Sequence, residues 1–366
     1  MQTVATFTDS YLPTVNGVTY TIRTWTERWR DRGGRMDVVY PGSEYDPGEG
    51  EHPVRSLPFP FYEGYRLGVP RIPDDLLDVD VVHAHTPFSV GIAGLRLARR
   101  ADVPLVASYH TPTGEYAEYV APGPRTASGL RRASQRWERW FFDRADLVFV
   151  PSEVTRARLR ESVGVGSPIS VLSNGVDVDR FRPVDTAKFR ERHGLDGDRP
   201  LVGYTGRHGY EKRLDELLDA AAELEVTVVL GGDGPARDDL ERQAEDRGVD
   251  ARFLGFLDRE KLPAFYTALD LFAFPSPVET QGIVAMEAAA CGTPVVGADS
   301  GALADTIPDD IAGYRYEPGD VGEFRAKIRR ALRERDRLSQ ACLGRRESIS
   351  VERTIDRLEE HYETLR

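Results

Sequence analysis

Ser276-Pro-Val-Glu-Thr-Gln-Gly-Ile-Val-Ala-Met-Glu-Ala-Ala-Ala-Cys-Gly-Thr-Pro-Val-Val296 is the stretch on which the rest of the chain turns. An apolar, strand-like run, Leu271 to Phe274, leads into it. Pro275 and Pro277 then forbid regular structure. From Gly282 to Cys291 the residues favour helix, Gly292 is a good helix stop, and Pro294 cannot continue the helix. Val295 and Val296 begin another strand. The order strand, loop, helix, strand aims a helix N-terminus at whatever lies beyond the strand ends. The backbone amides of Gln281, Gly282, Ile283 and Val284 form an anion site there, reinforced by the helix dipole. Glu279 in the loop and Glu287 in the helix are acceptors suited to sugar hydroxyls flanking a phosphate. The plain alternative is a surface helix carrying two solvated glutamates.

The spacing Glu279, seven residues, Glu287, followed by Ala-Cys-Gly-Thr-Pro-Val-Val, resembles the signature of retaining GT-B glycosyltransferases of the large glycosyltransferase family 4. The resemblance implies that the helix start holds the donor pyrophosphate. It further implies that Glu287 holds the ribose and Glu279 contacts the transferred sugar.

Composition sets the outer limits. A chain of 366 residues, 40% hydrophobic and 30% charged, is globular and expected to form two domains. No run of eighteen apolar residues exists, so no membrane span is expected, and the N-terminus does not read as a signal peptide. Two cysteines, Cys291 and Cys342, define neither a disulfide framework nor a metal cluster. A cytoplasmic protein, soluble or peripheral on the inner face of the membrane, is the expectation. The net charge is −12, of which residues 1–178 carry only −2, and four of the 48 basic residues are Lys. Abundant acid with scarce Lys suits a halophile, whose proteins stay soluble through surface carboxylates.

Residues 3–8 read as a strand feeding Thr8-Asp-Ser-Tyr-Leu-Pro-Thr-Val-Asn-Gly-Val18 and then a helix to about Arg32. This is a nucleotide-fold opening without a dinucleotide fingerprint. Asn16-Gly17 could be a plain turn. By resemblance, Gly17 lets the backbone approach the donor phosphate. Met36 to Tyr40 is a second strand, and the aromatic loop Phe59 to Tyr65 is a candidate acceptor lining or a packed surface loop. Val79 to Pro87 is a buried-type strand ending in His83 and His85, which share one face. A metal pair is conceivable, but no third ligand is evident nearby, so a structural or substrate-side role is favoured. His110 closes the strand Pro104 to Thr111, at the end where open α/β sheets place ligands. In the family this His lies beside the transferred sugar.

Over residues 125–160 nine Arg face four carboxylates, interleaved with Trp137, Trp140, Phe141 and Phe142. Tyr116 and Tyr119 precede them. Amphipathic basic–aromatic helices favour anionic membrane surfaces. Tyr116, Arg131, Arg132, Arg136 and Trp137 are accordingly candidate acceptor or membrane residues. The alternative is a helix with aromatics packed inward and arginines solvated. The overall acidity argues against nucleic acid as a partner.

Asp177 and Asp179 form a D-x-D, but the run Asn174 to Phe181 resembles the joint between the two GT-B domains and is read as linker, with no metal expected. The second half opens at Leu201-Val-Gly-Tyr-Thr-Gly-Arg-His-Gly-Tyr-Glu-Lys-Arg213. Arg207 and Lys212 can neutralise a diphosphate. They match the family's loop, although the His208-Gly-Tyr insert lengthens it. Phe253 to Leu257 resembles the stretch near the nucleobase. Val351, Ile355, Leu358 and Tyr362 recur at helical spacing, and the family's C-terminal helix crosses back to the first domain.

The expected fold is therefore α/β: GT-B, two doubly wound Rossmann-like domains facing a cleft. An acceptor-side domain covers 1–176, a nucleotide-sugar-binding domain 177–345, and the C-terminal helix 346–366. The expected activity is a retaining, metal-independent transfer of a hexose from a UDP- or GDP-sugar to an acceptor hydroxyl. His110, Arg207, Lys212 and Glu279 are catalytic by resemblance; Gly17, Gln281, Gly282, Ile283, Val284 and Glu287 bind donor. No cofactor is expected beyond the donor. Retention in the family is attributed to same-face attack, with the leaving phosphate helping to deprotonate the acceptor. Phe7 to Pro13, His85-Thr-Pro-Phe88 and Tyr109-His-Thr111 resemble the branch that glycosylates diacylglycerol-type lipids or phosphatidylinositol. The rival readings are an epimerase of the same fold, a transferase acting on a soluble or polysaccharide acceptor, a carboxylate-pair glycoside hydrolase, and a non-catalytic sugar-nucleotide binder.

Overall fold

Runs such as Leu147–Val150, Val228–Leu230 and Leu271–Phe274 are apolar without alternation. Strands of that kind are buried on both faces, which requires parallel sheets covered by helices on either side. A computed structural model shows this arrangement twice. It describes residues 1–14, 16–58, 66–74, 76–110 and 124–365.

The chain divides into two units, Met1–Asn174 with Thr354–Arg366, and Gly175–Arg353. The strands of the first are β1 (Thr3–Phe7), β2 (Arg35–Pro41), β3 (Glu51–Val54), β4 (Ser56–Pro58), β5 (Arg66–Gly68), β6 (Val81–Ala84), β7 (Leu105–Ser108), β8 (Leu147–Val150) and β9 (Ile169–Val171). Seven of them form one sheet in the order β3-β2-β1-β6-β7-β8-β9, with every pair parallel, and β4 and β5 form an antiparallel pair. The second unit holds β10 (Leu201–Thr205), β11 (Thr227–Gly231), β12 (Ala251–Gly255), β13 (Leu271–Phe274), β14 (Val295–Ala298) and β15 (Gly313–Tyr316). They are parallel throughout, in the order β12-β11-β10-β13-β14-β15.

Both sheets reverse their winding once, between β1 and β6 in the first unit and between β10 and β13 in the second. Crevices at such reversals, beyond the carboxyl ends of the strands, are where open α/β sheets bind ligands. The pairing of β10 with β13 sets the loop after Thr205 beside the loop after Phe274. The pairing of β6 with β7 likewise sets His85 beside His110.

The C-terminal helix Val351–Thr364 begins in the second unit, and its residues from Thr354 onward belong to the first. Its apolar stripe is buried as the helical spacing predicts: Val351, Ile355, Leu358 and Tyr362 are each at most 1% exposed. Burial of each such side chain contributes about 1.5–3 kcal/mol. Thr354 Oγ1 donates to Ser173 O at 3.0 Å, and an Arg357 guanidinium nitrogen donates to Val171 O at 2.9 Å. Among the described residues no helix is long and apolar enough to cross a membrane.

Candidate functional site

In the second unit the predicted helix forms as Ile283–Ala290, and Gly282 stands at its N-cap with φ of +75°. A Cβ at Gly282 would also meet Leu303 Cδ2 at 2.6 Å, so conformation and space both require glycine. The preceding loop is held from the far side. Ala302 N–H donates to Glu279 O at 3.1 Å, Ser300 Oγ donates to Pro277 O at 2.9 Å, and Thr306 Oγ1 donates to Gln281 O at 2.5 Å. The first-turn amides, including those of Ile283 and Val284, lie ahead of any acceptor the helix itself supplies.

The two glutamates are not solvated, which removes the plain surface-helix alternative. Glu287 is 2% exposed and the Glu279 side chain 15%. Lys212 Nζ donates to Glu279 Oε1 at 2.6 Å, and its own side chain is 17% exposed. Lys212 ends a 3₁₀ turn, Tyr210–Lys212, in the loop after β10. Sixty-seven residues of sequence separation are closed by the β10–β13 pairing. Arg207, in the same loop, is more exposed and pairs with Glu211.

The Gly206-to-Lys212 loop rests on the loop after β11. Gly206 N–H donates to Gly231 O at 3.1 Å, His208 N–H to Asp233 O at 2.8 Å, and Ala236 N–H to His208 O at 2.9 Å. The His208 ring is buried, with Nε2 3.2 Å from Gly231 O, and burial lowers its pKa. Of the extra residues His208-Gly-Tyr, His208 is thus the one that seats the loop, while Tyr210 stays exposed. A Cβ at Gly232 would meet Gly206 O at 1.9 Å, so the two loops touch backbone to backbone.

Glu287 is reached by two further groups that sequence reasoning missed. Arg259 Nη1 donates to Glu287 Oε1 at 3.3 Å, and Tyr266 Oη donates to Glu287 Oε2 at 2.9 Å. Burial raises the Glu287 carboxyl above its usual value, and Arg259 opposes that rise. Nothing in the local sequence marks either partner, since both act from other elements of the fold.

In the first unit Gly17 is the first residue of the helix Gly17–Asp31, and Asn16 caps it rather than forming a plain turn. Asn16 Oδ1 accepts from Thr19 N–H at 2.9 Å, while Asn16 Nδ2 donates to Ser10 Oγ at 2.7 Å. The nearby Asp9 is buried at the N-terminus of the helix Ser89–Ala101. It accepts from Thr86 Oγ1 at 2.7 Å, Ser89 Oγ at 2.9 Å and Val90 N–H at 2.9 Å. Its place is that of a capping carboxylate.

His83, His85 and His110 stand in a row. The His83 and His85 rings stack at 4.1 Å between centroids, those of His85 and His110 at 5.1 Å, and His85 Nδ1 lies 2.8 Å from His110 Nε2. A third histidine is therefore adjacent, contrary to the linear reading. Yet among the described residues no group of three or more His, Cys, Asp or Glu is arranged to hold a metal. His83 shares hydrogen bonds with Tyr362 Oη at 2.6 Å and Ser108 Oγ at 2.8 Å. Burial pushes His83 down to about 3 and His110 to about 4, with His85 also well below the usual imidazole value. All three are neutral at neutral pH.

The basic–aromatic helix spans Pro124–Phe142. It divides its aromatics: Phe141 and Phe142 are fully buried, while Trp137 and Trp140 are 39% and 37% exposed and stack at 4.9 Å. The Arg144 guanidinium lies over the Trp140 ring at 4.3 Å, and Trp137 Nε1 donates to Pro87 O at 2.7 Å. Arg131, Arg132 and Arg136 are exposed. Tyr116 and Tyr119, Thr111 and the aromatic loop 59–65 lie outside the described residues.

Residues 185–343 match the family model described as "Glycosyl transferases group 1", and residues 15–180 match that described as "Glycosyltransferase Family 4". A GDP-mannose-dependent alpha-mannosyltransferase of Mycobacterium tuberculosis is 33% identical over 386 residues, covering 99% of this chain and 97% of the relative. The chain belongs to glycosyltransferase family 4. A second relative of this glycosyltransferase, the sulfoquinovosyl transferase of Arabidopsis thaliana, is 33% identical over 77% of this chain and 56% of its own length, so the chain spans little more than half of it. The alpha-monoglucosyldiacylglycerol synthase of Streptococcus pneumoniae is 28% identical over 86% of this chain and 75% of that protein. Among solved structures, sucrose-phosphate synthase from Thermosynechococcus elongatus superposes with a TM-score of 0.80 at 22% identity, over 100% of this chain and 99% of that one. Anabaena HepE in complex with UDP gives 0.79 at 21% identity, over 99% and 100%. These likenesses establish the GT-B fold of this family 4 glycosyltransferase.

Proposed function

We propose that this glycosyltransferase is a retaining, metal-independent hexosyltransferase that moves a hexose from a UDP- or GDP-sugar to a hydroxyl of a membrane lipid or glycolipid. The observation that carries the reading is the meeting of Lys212 and Glu279 at 2.6 Å, beside the Gly282 helix start and within one element of the buried Glu287. A cation, a ring of forward-facing amides and two sheltered carboxylates are what a sugar diphosphate requires. Arg207, Lys212 and the amides of Gln281, Gly282, Ile283 and Val284 take the diphosphate and stabilise the charge that grows on it as the glycosidic bond breaks. Lys212 leaves Glu279 for the phosphate, and Glu279 turns to the sugar hydroxyls. Glu287 holds the ribose. In the first unit, Gly17 and the neutral His110 serve positioning roles, and the departing phosphate accepts the acceptor proton on the same face. No side-chain nucleophile is needed, so most of the rate comes from orientation and charge stabilisation.

A lipid acceptor is supported by the diacylglycerol-linked relative and by the exposed Trp137–Trp140 pair among Arg131, Arg132, Arg136 and Arg144. Indole rings partition to bilayer interfaces, and each arginine near an anionic surface contributes about 1 kcal/mol. The protein is then peripheral on the cytoplasmic leaflet.

The test is incubation of the purified protein with radiolabelled UDP- and GDP-sugars and defined lipids, with the product anomer assigned by NMR. An α-glycoside formed from an α-linked donor, in EDTA as well as without it, is expected. Inversion, or loss of turnover in EDTA, refutes the mechanism. Conversion of donor without acceptor would identify an epimerase. Cosedimentation with anionic vesicles, lost on Arg131→Ser/Arg132→Ser/Arg136→Ser, checks the lipid side. Retention of binding in that variant removes it.

A further inference from the structure

Glu287 poses a physical problem for any role that needs its charge. It is 2% exposed, and burial in low dielectric favours the neutral acid. A protonated carboxyl would present one donor where a ribose diol asks for acceptors. We infer that Arg259, seconded by Tyr266, is a positioning residue of the donor site that keeps Glu287 ionised and fixes its plane, leaving the outer lone pairs of both carboxylate oxygens for the ribose. The inference rests on the reading of Glu287 as the ribose acceptor.

Arg259 and Tyr266 divide the carboxylate between them. Arg259 takes Oε1 at 3.3 Å and Tyr266 takes Oε2 at 2.9 Å. Each partner is itself held. Arg259 opens a 3₁₀ turn, Arg259–Lys261, after β12, and its guanidinium lies over the Phe181 ring at 5.1 Å. Tyr266 is fully buried in the helix Leu262–Ala268, where its carbonyl accepts from Thr293 Oγ1 at 2.6 Å. The carboxylate is thus gripped from two elements outside its own helix. Two other charged or titratable groups are coupled to it. Arg180, 3.8 Å from Asp177, adds positive field. Cys291, the C-cap of the same helix, has its thiol pushed up to about 12 by burial, with the Glu287 charge adding to the rise, and stays neutral through the working range. Arg259 is the only one of these cations in contact with the carboxylate among the described residues.

The sign of the effect is fixed. Ribose binding through an ionised carboxylate is lost as pH falls through the Glu287 pKa. Removing a contacting cation raises that pKa by about one unit or more, so the loss moves to higher pH.

The experiment measures calorimetric Kd for UDP, GDP and 2′-deoxyuridine diphosphate between pH 5 and 9 in the full chain. The variants are wild type, Arg259→Met, Arg259→Lys, Tyr266→Phe and Glu287→Gln. Phosphate titration is common to all and cancels between variants. In Arg259→Met the midpoint of the acid-side rise in Kd for UDP is expected to move up by about one pH unit or more, with affinity regained at high pH. Arg259→Lys keeps the midpoint near the wild-type value, and Tyr266→Phe moves it up by less than Arg259→Met does. Glu287→Gln weakens UDP at every pH and removes the preference for UDP over the deoxy probe. If Arg259→Met weakens binding equally at all pH values, or not at all, the inference is overturned. If Glu287→Gln binds UDP as tightly as wild type with the ribose preference intact, it is the reading of Glu287 that fails.

Discussion

Gly232→Ala is the sharpest single perturbation the donor-side loops offer. Gly232 has φ of +106°, and a Cβ there would sit 1.9 Å from Gly206 O and 2.9 Å from Gly206 C. Since real contacts of this kind stay beyond 3.0 Å, the two loop backbones must separate by about 1 Å. Left-handed backbone in an alanine costs about 1–2 kcal/mol, and overpacking against an atom with nowhere to go adds about 1–3 kcal/mol. The expected loss is about 2–5 kcal/mol, or about 5–15 °C in the melting of a unit this size. Gly248→Ala is the control. Gly248 has φ of +65° and nothing within 4 Å, so it carries the backbone term alone, about 1–2 kcal/mol. The displaced carbonyl immediately precedes Arg207, and a 1 Å error in a charge-positioning loop lowers turnover by roughly 10²-fold. The assay pairs thermal unfolding with initial rates on the donor that supports activity. Gly232→Ala should lose more stability than Gly248→Ala and nearly all turnover, while Gly248→Ala keeps its rate when folded. Equal losses in the two variants, or a folded Gly232→Ala with wild-type rate, would refute the argument that these loops are held by backbone contact.

Lys212→Met strands the sheltered Glu279 carboxylate and should destabilise the chain by about 1–2 kcal/mol, less than a fully buried pair because both side chains keep some exposure. Lys212→Met/Glu279→Gln should recover most of that in urea titrations while turnover stays low; additive losses would contradict a coupled pair. The row of histidines makes stability acid-sensitive. Their folded pKa values lie below the unfolded value, so their contribution is complete above about pH 6.5 and is lost as pH falls towards about 4 for His110 and about 3 for His83. His83 and His110, held neutral, each lose about 2 kcal/mol by pH 5, and His83→Gln should flatten the slope of urea midpoint against pH; an unchanged slope would remove His83 as its cause. The surface acid implied by a net charge of −12 should make the melting temperature rise between low and molar KCl, and indifference to salt would count against a halophilic origin.

What the sequence disclosed and what it withheld follow from the range of the interactions. Parallel strands buried on both faces write themselves as apolar runs, so β13 is legible residue by residue as Leu271–Phe274. The stripe of Val351, Ile355, Leu358 and Tyr362 is equally local. Glu279 and Glu287 were legible because loop and helix are contiguous. The grip of Arg259 on Glu287 spans 28 residues, and the contact of His110 with His85 spans 25. Both depend on strand order, which no local window contains, so the histidine row was read as a pair. In the helix Pro124–Phe142 the composition announced amphipathicity but not its phase. Only packing decided that Phe141 and Phe142 turn inward and Trp137 and Trp140 outward.

The path of the C-terminal helix bears on the order in which the chain can become native. Val176 N–H donates to Ile349 O at 2.9 Å and Val351 N–H to Val176 O at 2.8 Å, so the stretches entering and leaving the second unit are stitched together. Residues 354–365, which supply Tyr362 to His83 and Ile355 and Leu358 to the core, emerge from the ribosome only after every residue of that unit. The usual vectorial order, in which the N-terminal half matures first, is therefore inverted. The first unit is made early, waits with the place of its last helix unfilled, and closes only after its neighbour has had time to fold.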